Sequence, residues 1–446
     1  MNTSNLSHIS NPPLNTSKYA YFSWLLLLTS WMQGMAVFHI TLVLCILLSV
    51  RYVPHAMQRL KVLPWLTVPF LLYEITRLIS TLLCEYPDKA MIGIFDDFRA
   101  FTFAFLTLIF LQTKDNIKDA AWATFIGFTI LAWWALLYHL FTHDFSLSPS
   151  SDVIVGSFGH VNYSAVFSSI AMLIMIAAFT LLSGQKSWIM LAGIVPIAIL
   201  QLPLGSRTTM LATAILLIII LIILRSWRGM ITISTLGLFF IAALSLTPNG
   251  LSQFSSISHA EQQIEGKGGI PSIQIRWEIF QVLSHLSLPH PFGLGPRIHG
   301  FVDLNAERDF LREHFKSSSK YMYGFTTDDP RFDSFDFNHP YGPGSHPLTY
   351  DPHSQYTATI AETGIIGLLI LFTIYATIAW HSFSLTRRQY SNAQKIMGIS
   401  GITLIGMFAL GGITVIVFSQ AGTNLLFGFL TFCIAFQSIY ERNTTS

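Results

Sequence analysis

Residues 208–225 read TTMLATAILLIIILIILR, with no charge until Arg225 closes the run. At 1.5 Å per residue such a run makes a helix of about 27 Å, close to the roughly 30 Å hydrocarbon core of a bilayer. Arg207 stands immediately before it, and Arg225 and Arg228 follow. The whole chain has the same character: 52% of its 446 residues are hydrophobic and 11% are charged, against about 25% charged in a soluble domain. The expected fold class is therefore an all-α polytopic membrane protein. A net charge of +2 gives no reason to expect a nucleic-acid partner. Cys45 and Cys433 fall inside apolar runs, which leaves Cys84 with no obvious partner and excludes a disulfide framework.

Working outward from 208–225, apolar runs of membrane-spanning length occur near 20–34, 36–53, 62–82, 95–113, 119–141, 161–183, 187–203, 229–247, 356–380, 394–418 and 420–440, about 12 in all. If the N-terminus is cytoplasmic, the inner connections hold Arg51, Arg59 and Lys61, then Lys114 and Lys118, then Lys186, then Arg225 and Arg228, then Arg387, Arg388 and Lys395. The short outer connections hold little beyond Lys89, the asymmetry that the positive-inside rule requires. The first residues are polar, with no basic region before Lys18 and no small-residue cleavage site, so no cleaved signal is expected. No internal repeat of the inverted-transporter kind is present.

One outer connection breaks the pattern. It runs for about 105 residues where helix connections usually take 2–8, and it is rich in His, Pro, Gly and Asp. The expected organisation is thus 1–247 for the first nine spans, 248–352 for a large periplasmic loop, and 353–446 for the last three spans. Within the loop, PSIQIRWEIFQVLSHL (271–286) places Ile273, Trp277, Phe280 and Leu283 at helical spacing on one apolar face. Tyr321, Phe325, Phe335, Phe337 and Tyr341 point to an ordered lid. Asp328, Asp329, Asp333, Asp336, His339 and His346 offer metal-ligand types, but without a tight ligand spacing a solvated loop is the better reading and no metal is expected.

The chemistry-bearing stretch is YDPHSQYTATIAETGIIG (350–367). Asp351 followed by Pro352 reads as an N-cap with proline at the first helical position, which puts His353 in the first turn. The partial positive charge of a helix N-terminus favours neutral imidazole, a competent general base near pH 7. Glu362 lies about 13 Å farther along the helix; an ionisable group at that depth is costly unless paired, so it is expected to orient a neighbour or close a helix contact. Arg207 and Arg276 can be placed on the same side as His353, and the guanidinium fork matches phosphate. Glu74, Arg77, Asp96, Asp97 and Arg99 lie at or within spans and read mainly as structural pairs.

Four motifs carry a resemblance. DPHSQYTATIAETGIIG resembles the H-[SN]-x7-E-x-G-x-x-G pattern of bacterial O-antigen ligases and their relatives, the O-antigen polymerases and protein O-oligosaccharyltransferases. GSRTTMLA (205–212) resembles their Ser-Arg element ahead of a span. IRWEIFQVLSHLSLPHPFGLGP (275–296) resembles their Arg-Trp helix and Pro-x-Gly-x-Gly turn, and GSFGHVNYSAVF (156–167) is similar to their Gly-x5-Asn element. The resemblance implies a GT-C-like fold and an inverting, metal-independent glycosyltransferase that needs no cofactor. His353 would be the catalytic base, Arg207 and Arg276 would bind diphosphate, and Glu362, Asn162 and His160 would support the site. Implied partners are an undecaprenyl-diphosphate-linked glycan donor, membrane lipid, and an acceptor that is lipid A core oligosaccharide or a periplasmic protein such as pilin. The expected place is the inner membrane of a Gram-negative bacterium, with the site facing the periplasm. A polymerase is the third reading within the family. From another class, a transporter of the same lipid-linked sugar predicts charged groups along a path through both leaflets, whereas here Arg207, Arg276 and His353 gather at one face.

Overall fold

The structure is a computed structural model that describes residues 16–30, 35–60, 64–143, 161–204, 206–225, 227, 230–231, 234, 272–296, 303–316, 319, 325–337, 354–387, 390–413, 428–430 and 433–434. Among these residues the regular structure is entirely helical. The helices are α1 (Lys18–Ser30), α2 (Met35–Ser49), α3 (Val53–Arg59), α4 (Pro64–Leu83), α5 (Pro87–Phe110), α6 (Lys114–Thr142), α7 (Val161–Leu181), α8 (Gln185–Leu204), α9 (Arg207–Leu224), α10 (Ser272–Ser287), α11 (Arg308–His314), α12 (Arg331–Ser334), α13 (Gln355–Leu385) and α14 (Asn392–Gly411).

Among the described residues, α4, α6, Asn162–Leu181 of α7, α8, α13 and α14 are each long and apolar enough to cross a membrane, and Val37–Tyr52 and Thr208–Leu224 are shorter apolar helices. The protein is thus an all-α, multi-pass membrane protein. The expected spans at 229–247 and 420–440 lie mostly outside the described residues. The bundle core buries Trp24, Phe38, Phe110, Phe167 and Phe408 among aliphatic side chains. In α9 the two faces differ in kind only slightly. Leu211, Ile215, Ile218 and Ile222 are exposed, while Thr209, Ala212, Thr213, Leu216 and Ile220 are buried. Lipid tails are as apolar as a helix neighbour, so small residues rather than hydrophobic ones mark the packed face.

The segment between α9 and α13 has its own core, built from Ile275, Ile279, Val282, Leu283, Leu286, Leu304, Leu311, Phe315, Phe325, Phe332 and Phe337, and sealed by Ala361 of α13. The helix expected over 271–286 is α10; of its expected face Leu283 is buried and Phe280 half-buried, but Trp277 is not packed. Trp277 is 57% exposed and stacks on Phe280, whereas Ile279, Val282 and Leu283 are fully buried. The run carries two apolar stripes about one residue out of phase, and only the docking partner decides between them. Ile279→Ala should therefore cost about 2–5 kcal/mol of stability and Trp277→Ala under about 1 kcal/mol, as read by thermal melting in detergent. A reversed order would mean that the Trp277 stripe is the packed one.

Phe325, Phe332, Phe335 and Phe337 form a ring cluster with centroids 4.9–5.1 Å apart. Arg308 clamps the cluster, donating to the Phe332 and Phe335 carbonyls and lying over the Phe337 ring. Phe325, Phe332 and Phe337 are buried in this core and Phe335 is half-buried against it; Tyr321 and Tyr341 lie outside the described residues. Three of the acidic side chains named from the sequence have local partners. Asp329 accepts from Arg331 at 2.7 and 3.0 Å, which holds its carboxyl down to about 2, Asp333 pairs with Arg312, and Asp336 accepts from Asn305 at 2.7 Å. His339 and His346 lie outside the described residues.

Candidate functional site

The first half of α13 organises the region. Ser354, in extended conformation, is the N-cap: its Oγ accepts from the Tyr356 N–H and donates to the Gly412 carbonyl. The Gln355 N–H donates to the same carbonyl at 2.7 Å, and the Tyr356 hydroxyl to that of Ala409. The start of α13 is thereby tied to the end of α14. The cap expected at Asp351, with Pro352 at the first helical position, is corrected: the helix begins at Gln355, two residues after His353. The Ser354 hydroxyl accepts from a free N–H at the helix start, which is what an N-cap does. Asp351, Pro352 and His353 themselves lie outside the described residues.

Nine residues into the helix the backbone breaks at Gly364, with φ 67° and ψ −167°, a conformation essentially reserved to glycine. In an unbroken helix the carbonyls of residues 361 and 362 would bond the N–H groups of residues 365 and 366. Here they accept from the loop turn instead: the Leu294 N–H donates to Ala361 at 2.7 Å and the Gly295 N–H to Glu362 at 3.3 Å. Gly293 and Gly364 lie back to back. A Cβ at Gly293 would sit 2.5 Å from the backbone of residues 362–364, and one at Gly364 would sit 2.2 Å from the Pro291 carbonyl oxygen. Gly293 and Gly364 are thus each required by the close approach of the other's backbone.

Two helices from the N-terminal part of the chain complete the junction. Glu362 pairs with Arg77 of α4 (Nη1 to Oε2 2.9 Å), the two side chains being 11% and 15% exposed, and the Ser80 hydroxyl donates to the Glu362 carbonyl at 2.5 Å. Pro296 packs against Gly93 of α5, where a Cβ would sit 2.7 Å from the proline ring and 3.5 Å from Arg77 Nη2. The role expected for Glu362, closing a helix contact, is what the geometry displays. Of the other charged residues in spans, Arg99 contacts His39 at 2.8 Å, and the Asp96 and Asp97 side chains lie outside the described residues.

The remaining candidates come to the same end of the bundle by topology. Val166 of α7 lies beside Gly411, so α7 starts where α14 ends and α13 begins. α7 and α8 are joined by the short turn 182–184, which returns α8 to that end, and Arg207 starts α9 directly after it. Asn162, half-buried, is the second residue of α7, and Arg276, also half-buried, sits on α10, which packs on α13. The structure thus places Asn162, Arg207 by its backbone, Arg276 and Ser354 at one end of the bundle, while His160 lies outside the described residues. The sequence reading missed Arg77 as the partner of Glu362 and missed Ser80 altogether. Arg77 and Glu362 were each visible as charges inside apolar runs, but nothing local links residues 285 positions apart.

Among the described residues, no group of three His, Cys, Asp or Glu could hold a metal ion. Residues 192–372, from within α8 to the middle of α13, match the family model described as O-antigen ligase. No curated protein matches the chain.

Proposed function

From the premise that residues 192–372 match the O-antigen ligase family, we propose that the protein is an inner-membrane glycosyltransferase. It moves a preassembled glycan from undecaprenyl diphosphate to lipid A core oligosaccharide at the periplasmic face. In this reading about 12 spans surround the isoprenoid tail and the segment 248–352 covers the outer face. His353 takes the proton of the acceptor hydroxyl, the freed oxygen attacks the anomeric carbon, and the bond to the diphosphate oxygen breaks with inversion. Arg207 and Arg276 hold the diphosphate and offset the charge that grows on it as it leaves. Asn162 and His160 line the approach. The two guanidinium groups do the work that a divalent cation does elsewhere, so the reaction runs without metal.

One observation carries the reading: the starts of α7, α9 and α13 share one end of the bundle, and α10, which bears Arg276, is docked there. That polarity suits an enzyme acting at one interface better than a carrier with groups along a path through both leaflets.

The test uses purified full-length protein in EDTA with an undecaprenyl-diphosphate glycan, offered lipid A core or pilin separately. The expected result is transfer to lipid A core, reduced about 10²–10³-fold in kcat/KM by Arg276→Ala. Transfer to pilin alone would make it a protein O-oligosaccharyltransferase, extension of the donor glycan a polymerase, and flipping of the donor without transfer a transporter.

A further inference from the structure

The break at Gly364 separates residues 355–363 from the rest of α13. A half-helix cut loose in this way takes its direction from whatever grips it. One end is held by the Gly412 carbonyl, which accepts from Ser354 Oγ and the Gln355 N–H. The other is held by the turn at Leu294 and Gly295, by the Ser80 hydroxyl, and by the Arg77–Glu362 ion pair. Arg77 lies about 9 Å inside the end of α4, and Glu362 about 12 Å from Ser354, at 1.5 Å per residue. At that separation neither side chain reaches a group reacting at the start of α13. In a weakly polar surrounding the pair's geometry is stiff, because a low local dielectric strengthens both the ion pair and the hydrogen bonds around it.

We propose that Arg77 is a positioning residue of the transfer site. Acting through Glu362, with Ser80 as a second tie, it fixes the direction of residues 355–363 and so of the capped start of α13. The inference rests on the proposed function, since it is the glycan transfer whose geometry Arg77 sets. It assigns a part in that reaction to α4, a helix outside the segment that matches the family.

The test uses the full-length protein in nanodiscs, with the donor and acceptor of the wild-type assay. Arg77→Gln, Glu362→Gln, the double variant and Arg77→Lys are each matched to wild type for monodispersity and thermal midpoint. A misdirected base costs turnover and leaves donor binding alone, so each Gln variant should lose about 10²-fold in kcat while the donor KM stays within about threefold. The double variant should lose no more than the worse single one, because the two residues act as a unit. Arg77→Lys, which keeps a donor and a positive charge, should recover to within about tenfold of wild type. It carries the test alone if the Gln variants fail to fold.

Additive losses, unchanged kcat, loss concentrated in the donor KM, or no recovery with lysine would overturn the positioning role. An active wild type with unaffected variants would sink this inference alone. A wild type that transfers to no acceptor would sink the proposed function and the positioning role with it.

Discussion

His353→Ala is expected to lower kcat about 10²–10⁴-fold, the range that a positioned general base contributes, with little change in the donor KM. The argument is chemical. An acceptor hydroxyl is a weak nucleophile until its proton has somewhere to go, and among the site candidates named from the sequence only the two histidines can take a proton near neutral pH. His353 directly precedes the residue that caps α13, so its backbone is adjacent to a fixed point. Added imidazole should restore part of the variant's rate. A loss under tenfold, or no rescue by imidazole, would remove His353 from the role.

Gly364→Ala should destabilise the protein by about 3 kcal/mol or more. The backbone conformation at this position costs a residue with a Cβ about 1–3 kcal/mol, and the methyl group would meet the Pro291 oxygen at 2.2 Å and the Gly293 nitrogen at 2.6 Å, an overlap worth about 1–3 kcal/mol more. Relief comes by straightening α13, which returns the Ala361 and Glu362 carbonyls to the helix and undocks the turn at 291–296. Protease sensitivity in the segment between α9 and α13 should then rise together with a lowered thermal midpoint. Gly184 supplies the control: it has the same φ of +67° but nothing within 4 Å of a built Cβ, so its alanine variant should lose about 1 kcal/mol from strain alone. Equal losses at the two positions would mean that the back-to-back glycines do not hold the junction.

Particular residues mark how far local reading reached. The run 208–224 and most of the other apolar runs coincide with helices, because a span's length and polarity are properties of consecutive residues. The helix at 271–286 was equally visible, yet Trp277 faces outward where Ile279 faces in. Asp-Pro before His353 looked like a cap by residue type, and Ser354 holds the position because its hydroxyl also meets the Gly412 carbonyl, a partner 58 residues away.

The sequence by itself determined a multi-pass helical membrane protein and carried the motifs that resemble those of O-antigen ligases, since each of these is written in runs or fixed spacings along the chain. Only the tertiary structure decided that the Pro-x-Gly-x-Gly turn and Gly364 are two halves of one joint, that Glu362 is held by Arg77, and that Asn162, Arg207 and Ser354 share an end of the bundle. The physical reason is that a glycine's need for space, a charge's need for a partner and a broken helix's need for donors can each be met by many residues. Which one meets them is settled by packing between segments that lie far apart in the chain.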